Sequence, residues 1–159
     1  MKVLFLCTGN SCRSILAEAV FNHLAPTGFQ AFSAGSRPVG FVHPQALDLL
    51  ARAGISTAGL SSKSWEALPQ VPDLIVTVCG NAAGETCPVL LSSVPSVHWG
   101  VDDPAAVSGT ESVVLAAFER AYQILRHRIE RFMLLSRGRA SLSDGDFRAA
   151  LADIGTRVP

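Results

Sequence analysis

The chain has 159 residues, thirteen basic and thirteen acidic side chains, a formal net charge of zero and a 48% hydrophobic content. That length suits one domain with its own core, and the balanced charge, without blocks of like sign, argues against nucleic acid or an anionic membrane as the main partner. No stretch approaches a membrane span and the apolar part of the opening MKVLFLCTGN is too short for a secretory signal, so a soluble, cytoplasmic protein is expected, its four cysteines reading as reduced, reactive or metal-binding thiols rather than a disulfide framework.

Residues 2–7 are nearly continuous in apolar side chains, the pattern of a strand buried on both faces of a parallel sheet. TGNS then has turn chemistry, and Ser14 is placed to cap a helix through Leu24 with Ile15, Leu16, Ala19, Val20 and Leu24 at helical spacing. A second strand is predicted over 29–34, and a helix opening at Pro44 and ending at Gly54 carries Ala46, Leu47, Leu50 and Ala53 on one face. Residues 55–64 read as a surface loop, followed by a short helical segment around 65–68 that Pro69 and Pro72 stop. DLIVTVC at 73–79 is a third buried strand, SVHW at 96–99 a short fourth. The longest helix is predicted over 111–135, with Val114, Phe118, Ala121, Leu125, Ile129 and Phe132 as its buried stripe. Residues 1–135 thus form a single domain, and 136–159 a polar linker with an amphipathic helix through Phe147, Leu151 and Ile154. Strands alternating with helices predict an α/β fold with parallel strands, in which ligands bind beyond the carboxyl ends of the strands; Cys7 and Cys79 both sit at such ends.

The stretch VLFLCTGNSCRSIL concentrates the chemistry. Cys7 and Arg13 stand six apart, so a thiol and a guanidinium can share one bound anion. The unpaired amides of a tight loop entering a helix, the helix dipole and the Arg13 cation all favour a thiolate at Cys7. Those amides, from Thr8, Gly9, Asn10, Ser11, Cys12, Arg13 and Ser14, also form a cradle for an oxyanion, and a planar guanidinium grips two of its oxygens. Gly9 lets the backbone approach the ligand, Asn10 suits a left-handed turn, and Ser14 can donate to the sulfur. A buried apolar cysteine beside a surface arginine is the alternative reading of the same pair. Cys12 is expected to be structural, and His98 to belong to strand packing.

CTGNSCRS at 7–14 resembles the phosphate-binding loop of the low-molecular-weight protein tyrosine phosphatase family. SAG at 33–35, TVCGNAAGETCP at 77–88 and HWGVDDPA at 98–105 are similar to the arsenate reductases that share that fold. The resemblance covers most of residues 1–135 and leaves the tail outside. It implies a three-layer α/β sandwich with a four-stranded parallel sheet flanked by helices, the active loop following the first strand. It also implies that Asp103, before Pro104, is the general acid; Asp102 is its neighbour and competitor, and DDP by itself reads equally as a turn or cap.

Phosphate-ester hydrolysis needs only Cys7, Arg13 and Asp103, whereas reducing arsenate to arsenite needs two electrons from thiols. Cys79 and Cys87, eight apart, permit a relay: Cys7 attacks arsenate, Cys79 attacks Cys7 and releases arsenite, and Cys87 resolves the disulfide. The resemblance therefore implies an arsenate reductase, with phosphate and sulfate as competing oxyanions and thioredoxin or glutathione with glutaredoxin as electron donor. A low-molecular-weight protein tyrosine phosphatase-like phosphomonoesterase is the alternative, and a binding protein without turnover a third. Ala105 and Ala106 follow Asp103-Pro104 where tyrosine phosphatases of this fold carry aromatics, which argues against tyrosine recognition. Some thioredoxin-linked relatives hold potassium with side chains matched here by Asn10, Glu18 and Ser33. Lys63 stands where those relatives have a further acid, so no potassium site is expected. SKSW and the eight-residue cysteine spacing look closer to the glutathione/glutaredoxin-linked relatives. Zinc is a poor fit, because the cysteines give no paired ligand spacing and the histidines do not cluster, so neither metal nor cofactor is expected.

Overall fold

The structure, a computed structural model, describes residues 1–84 and 88–157. Four strands, β1 (Lys2–Leu6), β2 (Gln30–Ala34), β3 (Leu74–Thr77) and β4 (Ser96–His98), form one sheet in the order β2-β1-β3-β4. All three pairings are parallel, with Leu6 opposite both Ala34 and Thr77, and Thr77 opposite His98. Each predicted strand is present, but β1, β3 and β4 end before Cys7, Cys79 and Trp99. Those residues belong to the turns beyond the sheet, where β-branched content no longer dictates the backbone.

The helices are α1 (Arg13–Leu24), α2 (Pro44–Arg52), the short α3 (Gly80–Gly84), α4 (Glu111–Arg137) and α5 (Asp144–Arg157). Val3, Phe5, Leu74, Val76 and Val97 point to the face covered by α1, α2, α4 and α5. Leu4, Leu6, Phe32, Ala34 and Ile75 point to the other face, under Trp65 and Leu91 from the 3-10 turns Trp65–Ala67 and Val89–Leu91 and under Leu68, which ends the first of them. This is the expected three-layer α/β sandwich with unequal outer layers. Helix α1 is buried from Ser14 to Phe21, wedged between β1, β2 and α4, which explains why its apolar positions run round the whole helix.

Ser14 lies inside α1 rather than at its cap; Cys12 is the cap residue and makes no side-chain capping bond. That frees the Ser14 hydroxyl for the loop. Helix α5 is part of the main core: Phe147, Leu151 and Ile154 are buried in the same cluster as Phe5 and Trp99, and the Trp99 indole donates to the Leu151 carbonyl at 2.8 Å. Phe132 gathers Phe21, Phe29, Trp99 and Phe147 in ring contacts at 5.3–6.4 Å. Among the described residues no helix is long and apolar enough to cross a membrane.

The chain runs from β1 to β2 on one side and then reaches β3 on the other, so the carboxyl end of β1 is the switch point of the sheet, where a parallel α/β fold opens a crevice. The 7–13 loop occupies that point. Because Leu151 is fully buried against the β4 end of the core, Leu151→Ala is expected to cost about 2–5 kcal/mol, read as a lowered urea midpoint with one cooperative transition. A separate, low-stability transition for α5 would contradict this packing.

Candidate active site

The loop is held from outside. The carbonyls of Thr8, Gly9 and Ser11 accept from the amides of Arg37, Val39 and His43, each at 3.0 Å, and Ser62 Oγ donates to the Gly9 carbonyl at 3.3 Å. Among the described residues, the amides from Thr8 to Cys12 donate to no backbone carbonyl. With the carbonyls tied outward, these amides and those of the first turn of α1 are free to meet an anion.

Asn10 fixes the turn. It is fully buried at φ 43°, the left-handed conformation that an Asn tolerates. Its Oδ1 accepts from the Lys63 amide at 2.8 Å, which sets the orientation of its side chain, and its Nδ2 donates to Ser14 Oγ and Ser33 Oγ, both at 2.9 Å. Ser14 Oγ stands 2.9 Å from Cys7 Sγ. Since Asn10 already donates to Ser14, the Ser14 hydrogen is directed at the sulfur, where it stabilises a thiolate. Gly9, expected to admit the ligand, has φ outside the left-handed region, and a side-chain carbon there would meet Val39 at an ordinary 3.4 Å. Gly35 is the glycine the loop requires: a Cβ there would fall 2.4 Å from the Thr8 carbonyl oxygen.

Cys7, Arg13 and Asp103 line one cleft with Gly9, Ser11, Cys12, Val39, Phe41, His43 and Ala105. Arg13 pairs with Asp103 at 2.9 Å and donates to the Val101 carbonyl at 3.0 Å, while its Nε is buried with no partner among the described residues. Asp103 Oδ1 also accepts from the Ala105 amide at 3.1 Å, so the turn reading and the site reading of DDP both hold for it. Asp102 is exposed and lies outside this cleft. The Ser11 hydroxyl donates to the Phe41 carbonyl at 2.9 Å, which leaves the Ser11 amide as its contribution to a cradle.

Cys79 is buried two residues beyond β3. Its sulfur is 3.6 Å from Thr8 Oγ1 and accepts from the Ala82 amide at 3.3 Å. Cys87 lies outside the described residues. Cys12 is buried too, and burial, reinforced by Asp103 and Cys7 and opposed by Arg13, pushes its thiol up to about 12. His98 is exposed rather than packed, its Nδ1 2.8 Å from Thr77 Oγ1.

Behind the loop, Ser33 Oγ donates to Glu18 Oε2, and the Lys63 ammonium stands 3.7 Å from the same oxygen. Burial raises the Glu18 carboxyl above its ordinary value of 4.5, with Ser33 and Lys63 opposing the shift. Among the described residues, no group of three or more His, Cys, Asp or Glu gathers to hold a metal ion. Sequence reasoning missed the rim residues Val39, Phe41 and His43 as well as Gly35; only the fold brings residues 35–43 against the loop.

The model of the family described as low molecular weight phosphotyrosine protein phosphatase matches residues 2–144. An arsenate reductase of Halalkalibacterium halodurans is 39% identical over 131 residues, covering 82% of this chain and 93% of that protein. The crystal structure of an arsenate reductase from Archaeoglobus fulgidus is 34% identical with a TM-score of 0.55, covering 77% of this chain and 98% of that one. A low molecular weight protein tyrosine phosphatase from T. tengcongensis shares the fold at a TM-score of 0.67 and 22% identity, covering 84% of this chain and 98% of that one.

With its thiol at about 12, roughly one Cys12 in 10⁴ is ionised at pH 8. Iodoacetamide at that pH should therefore label Cys7 and spare Cys12 until the chain is unfolded, as read by peptide mapping. For Glu18 the raised value means that the folded state binds a proton more tightly than the unfolded one. Its stabilising contribution is full below 4.5 and is lost as pH rises through the folded value. Glu18→Gln should flatten that part of the curve of urea midpoint against pH, whereas parallel curves for the two proteins would contradict it.

Proposed function

The chain belongs to the low-molecular-weight phosphotyrosine protein phosphatase family, and from that premise we propose that its reaction is the reduction of arsenate to arsenite. The observation that carries this reading is the 3.6 Å contact between Thr8 Oγ1 and Cys79 Sγ, which sets a second thiol against the residue that follows Cys7. Hydrolysis of a phosphate ester has no use for that thiol. The arsenate reductases among its relatives support the same substrate.

Arsenate enters the cleft with its oxygens on the amides of residues 8–14 and on Arg13. Cys7 thiolate, stabilised by the Ser14 hydrogen, attacks arsenic, and an arsenate hydroxyl takes one proton from Asp103 and leaves as water. The product is a Cys7 thioester of arsenic(V). Cys79 thiolate then attacks Cys7 Sγ. A sulfur–sulfur bond forms, the sulfur–arsenic bond breaks, and its electron pair reduces arsenic(V) to arsenic(III), released as arsenite. Cys87 attacks Cys79 in turn, freeing Cys7 and leaving a Cys79–Cys87 disulfide. Two electrons from thioredoxin, or from glutathione with glutaredoxin, restore the three thiols. The oxyanions phosphate and sulfate compete for the same cradle.

One observation favours phosphomonoester hydrolysis as a second reading: Val39 and Phe41, 52% and 58% exposed, put apolar surface at the mouth of the cleft, where an organic leaving group would rest.

Reduced protein given one equivalent of arsenate should release arsenite and yield a disulfide mapped to Cys7, Cys79 or Cys87. Cys7→Ser should lose this by several orders of magnitude, as expected when a nucleophile is removed, and Cys79→Ser should stop before arsenite release. Arsenite and disulfide both absent, with thioredoxin and with glutathione plus glutaredoxin, would overturn the proposal. Phosphate-ester turnover that survives Cys79→Ser but not Cys7→Ser would establish the second reading instead.

A further inference from the structure

The segment that carries Asp103 leaves the sheet at His98 and packs against α4 on its way to the cleft. Its first three carbonyls beyond β4, those of Trp99, Gly100 and Val101, lie outside any strand or helix and need donors. All three accept from guanidinium groups. Arg128 NH1 donates to the Trp99 carbonyl at 2.9 Å and the Gly100 carbonyl at 3.1 Å, and Arg13 NH1 donates to the Val101 carbonyl at 3.0 Å.

Arg128 is an unexpected member of α4. It is 6% exposed on a stripe otherwise made by Phe118, Ala121, Tyr122, Leu125, Ile129, Phe132 and Met133. Burial lowers its pKa, the mark of a cation kept where water would serve it better. A well-packed apolar residue there would be no less stabilising than a buried charge, so its use points to geometry. One nitrogen bridging two successive carbonyls fixes the direction in which the chain leaves β4, three residues before Asp103.

We propose that Arg128 is a positioning residue for Asp103. By clamping the Trp99 and Gly100 carbonyls to α4, it sets the height at which the Asp103 carboxyl faces Arg13 and the oxygen that leaves the oxyanion's central atom when Cys7 attacks it. Through its NH1 bonds to the Trp99 and Gly100 carbonyls, Arg128 acts by way of the backbone of residues 99–103. The proposal rests on Asp103 as the proton donor of the reaction at Cys7, a role that arsenate reduction and ester hydrolysis share.

The test is a double-mutant cycle of Arg128→Met and Asp103→Asn, read as the single-turnover rate with arsenate and with phenyl phosphate. Cys7 alkylation protected by inorganic phosphate serves as a separate measure of oxyanion binding. Arg128→Met should lower the rate on the order of 100-fold, the scale of a misplacement of about 1 Å, with phosphate protection changed less than about threefold. Asp103→Asn should then cost little more in the Arg128→Met background, because the acid is already out of place. Arg128→Lys, which keeps the charge but not the fork, should recover part of the rate, and it carries the same cycle if Arg128→Met does not fold. A merely structural arginine would leave the cost of Asp103→Asn equal in both backgrounds, and that result would overturn the proposal. Turnover of neither substrate by the unmodified chain would remove the functional reading and this inference with it, whereas turnover without coupling removes this inference alone.

Discussion

A seven-residue loop can turn its amides toward an anion only when its carbonyls find donors on the opposite side. Here the backbone of residues 37–43 supplies three of those donors and Ser62 a fourth, all aimed at Thr8, Gly9 and Ser11. Asn10 locks the result, because one side-chain amide satisfies the Lys63 backbone, Ser33 and Ser14 together in a fully buried, left-handed turn. Such networks are worth most when every member is satisfied, and each bond here also orients the next, ending with the Ser14 hydrogen on Cys7. Gly35 belongs to the same constraint, since the strand-end turn it occupies passes too close to the Thr8 carbonyl for any side chain.

The groups proposed to react follow three neighbouring strands. Cys7 follows β1, Cys79 follows β3, and Asp103 follows β4; the order β2-β1-β3-β4 with all strands parallel brings these three carboxyl ends side by side. None of the three sits on a regular element, so each depends on loop anchors. Cys7 has Ser14, Cys79 has Thr8 and the Ala82 amide, and Asp103 has Arg13 directly and Arg128 through the backbone. Two guanidinium groups satisfying three successive carbonyls make an irregular, partly buried segment as definite as a strand.

Position separates thiols of identical chemistry. Cys7 and Cys12 stand at the two ends of one loop, both buried, yet Cys7 faces the Ser14 hydroxyl while burial and the charges of Asp103 and Cys7 hold Cys12 protonated to about 12. Glu18 shows the same logic for a carboxyl. Buried behind the loop, it is kept from a larger penalty by Ser33 and the Lys63 ammonium, so the charge balance of the network is internal to the chain.

Local pattern was enough for the strands, the helices and the loop between β1 and α1. A continuous apolar run, turn residues and a 3.6-residue period are written in consecutive residues. The CTGNSCRS motif likewise carries the thiol, the guanidinium and the loop amides between them, because their relation spans only eight residues. Other features were illegible for a physical reason: they are contacts between residues far apart in sequence. Arg128 was hidden inside an apolar periodicity, Gly35 inside a strand-end turn, and the tail helix passed for an appendage until Trp99 and Leu151 met across 52 positions. Sequence by itself determined which chemical groups this protein owns and which backbone elements carry them. The tertiary structure decided which groups face one another, because proximity of Cys7, Cys79 and Asp103 is a property of strand order, which no local stretch encodes.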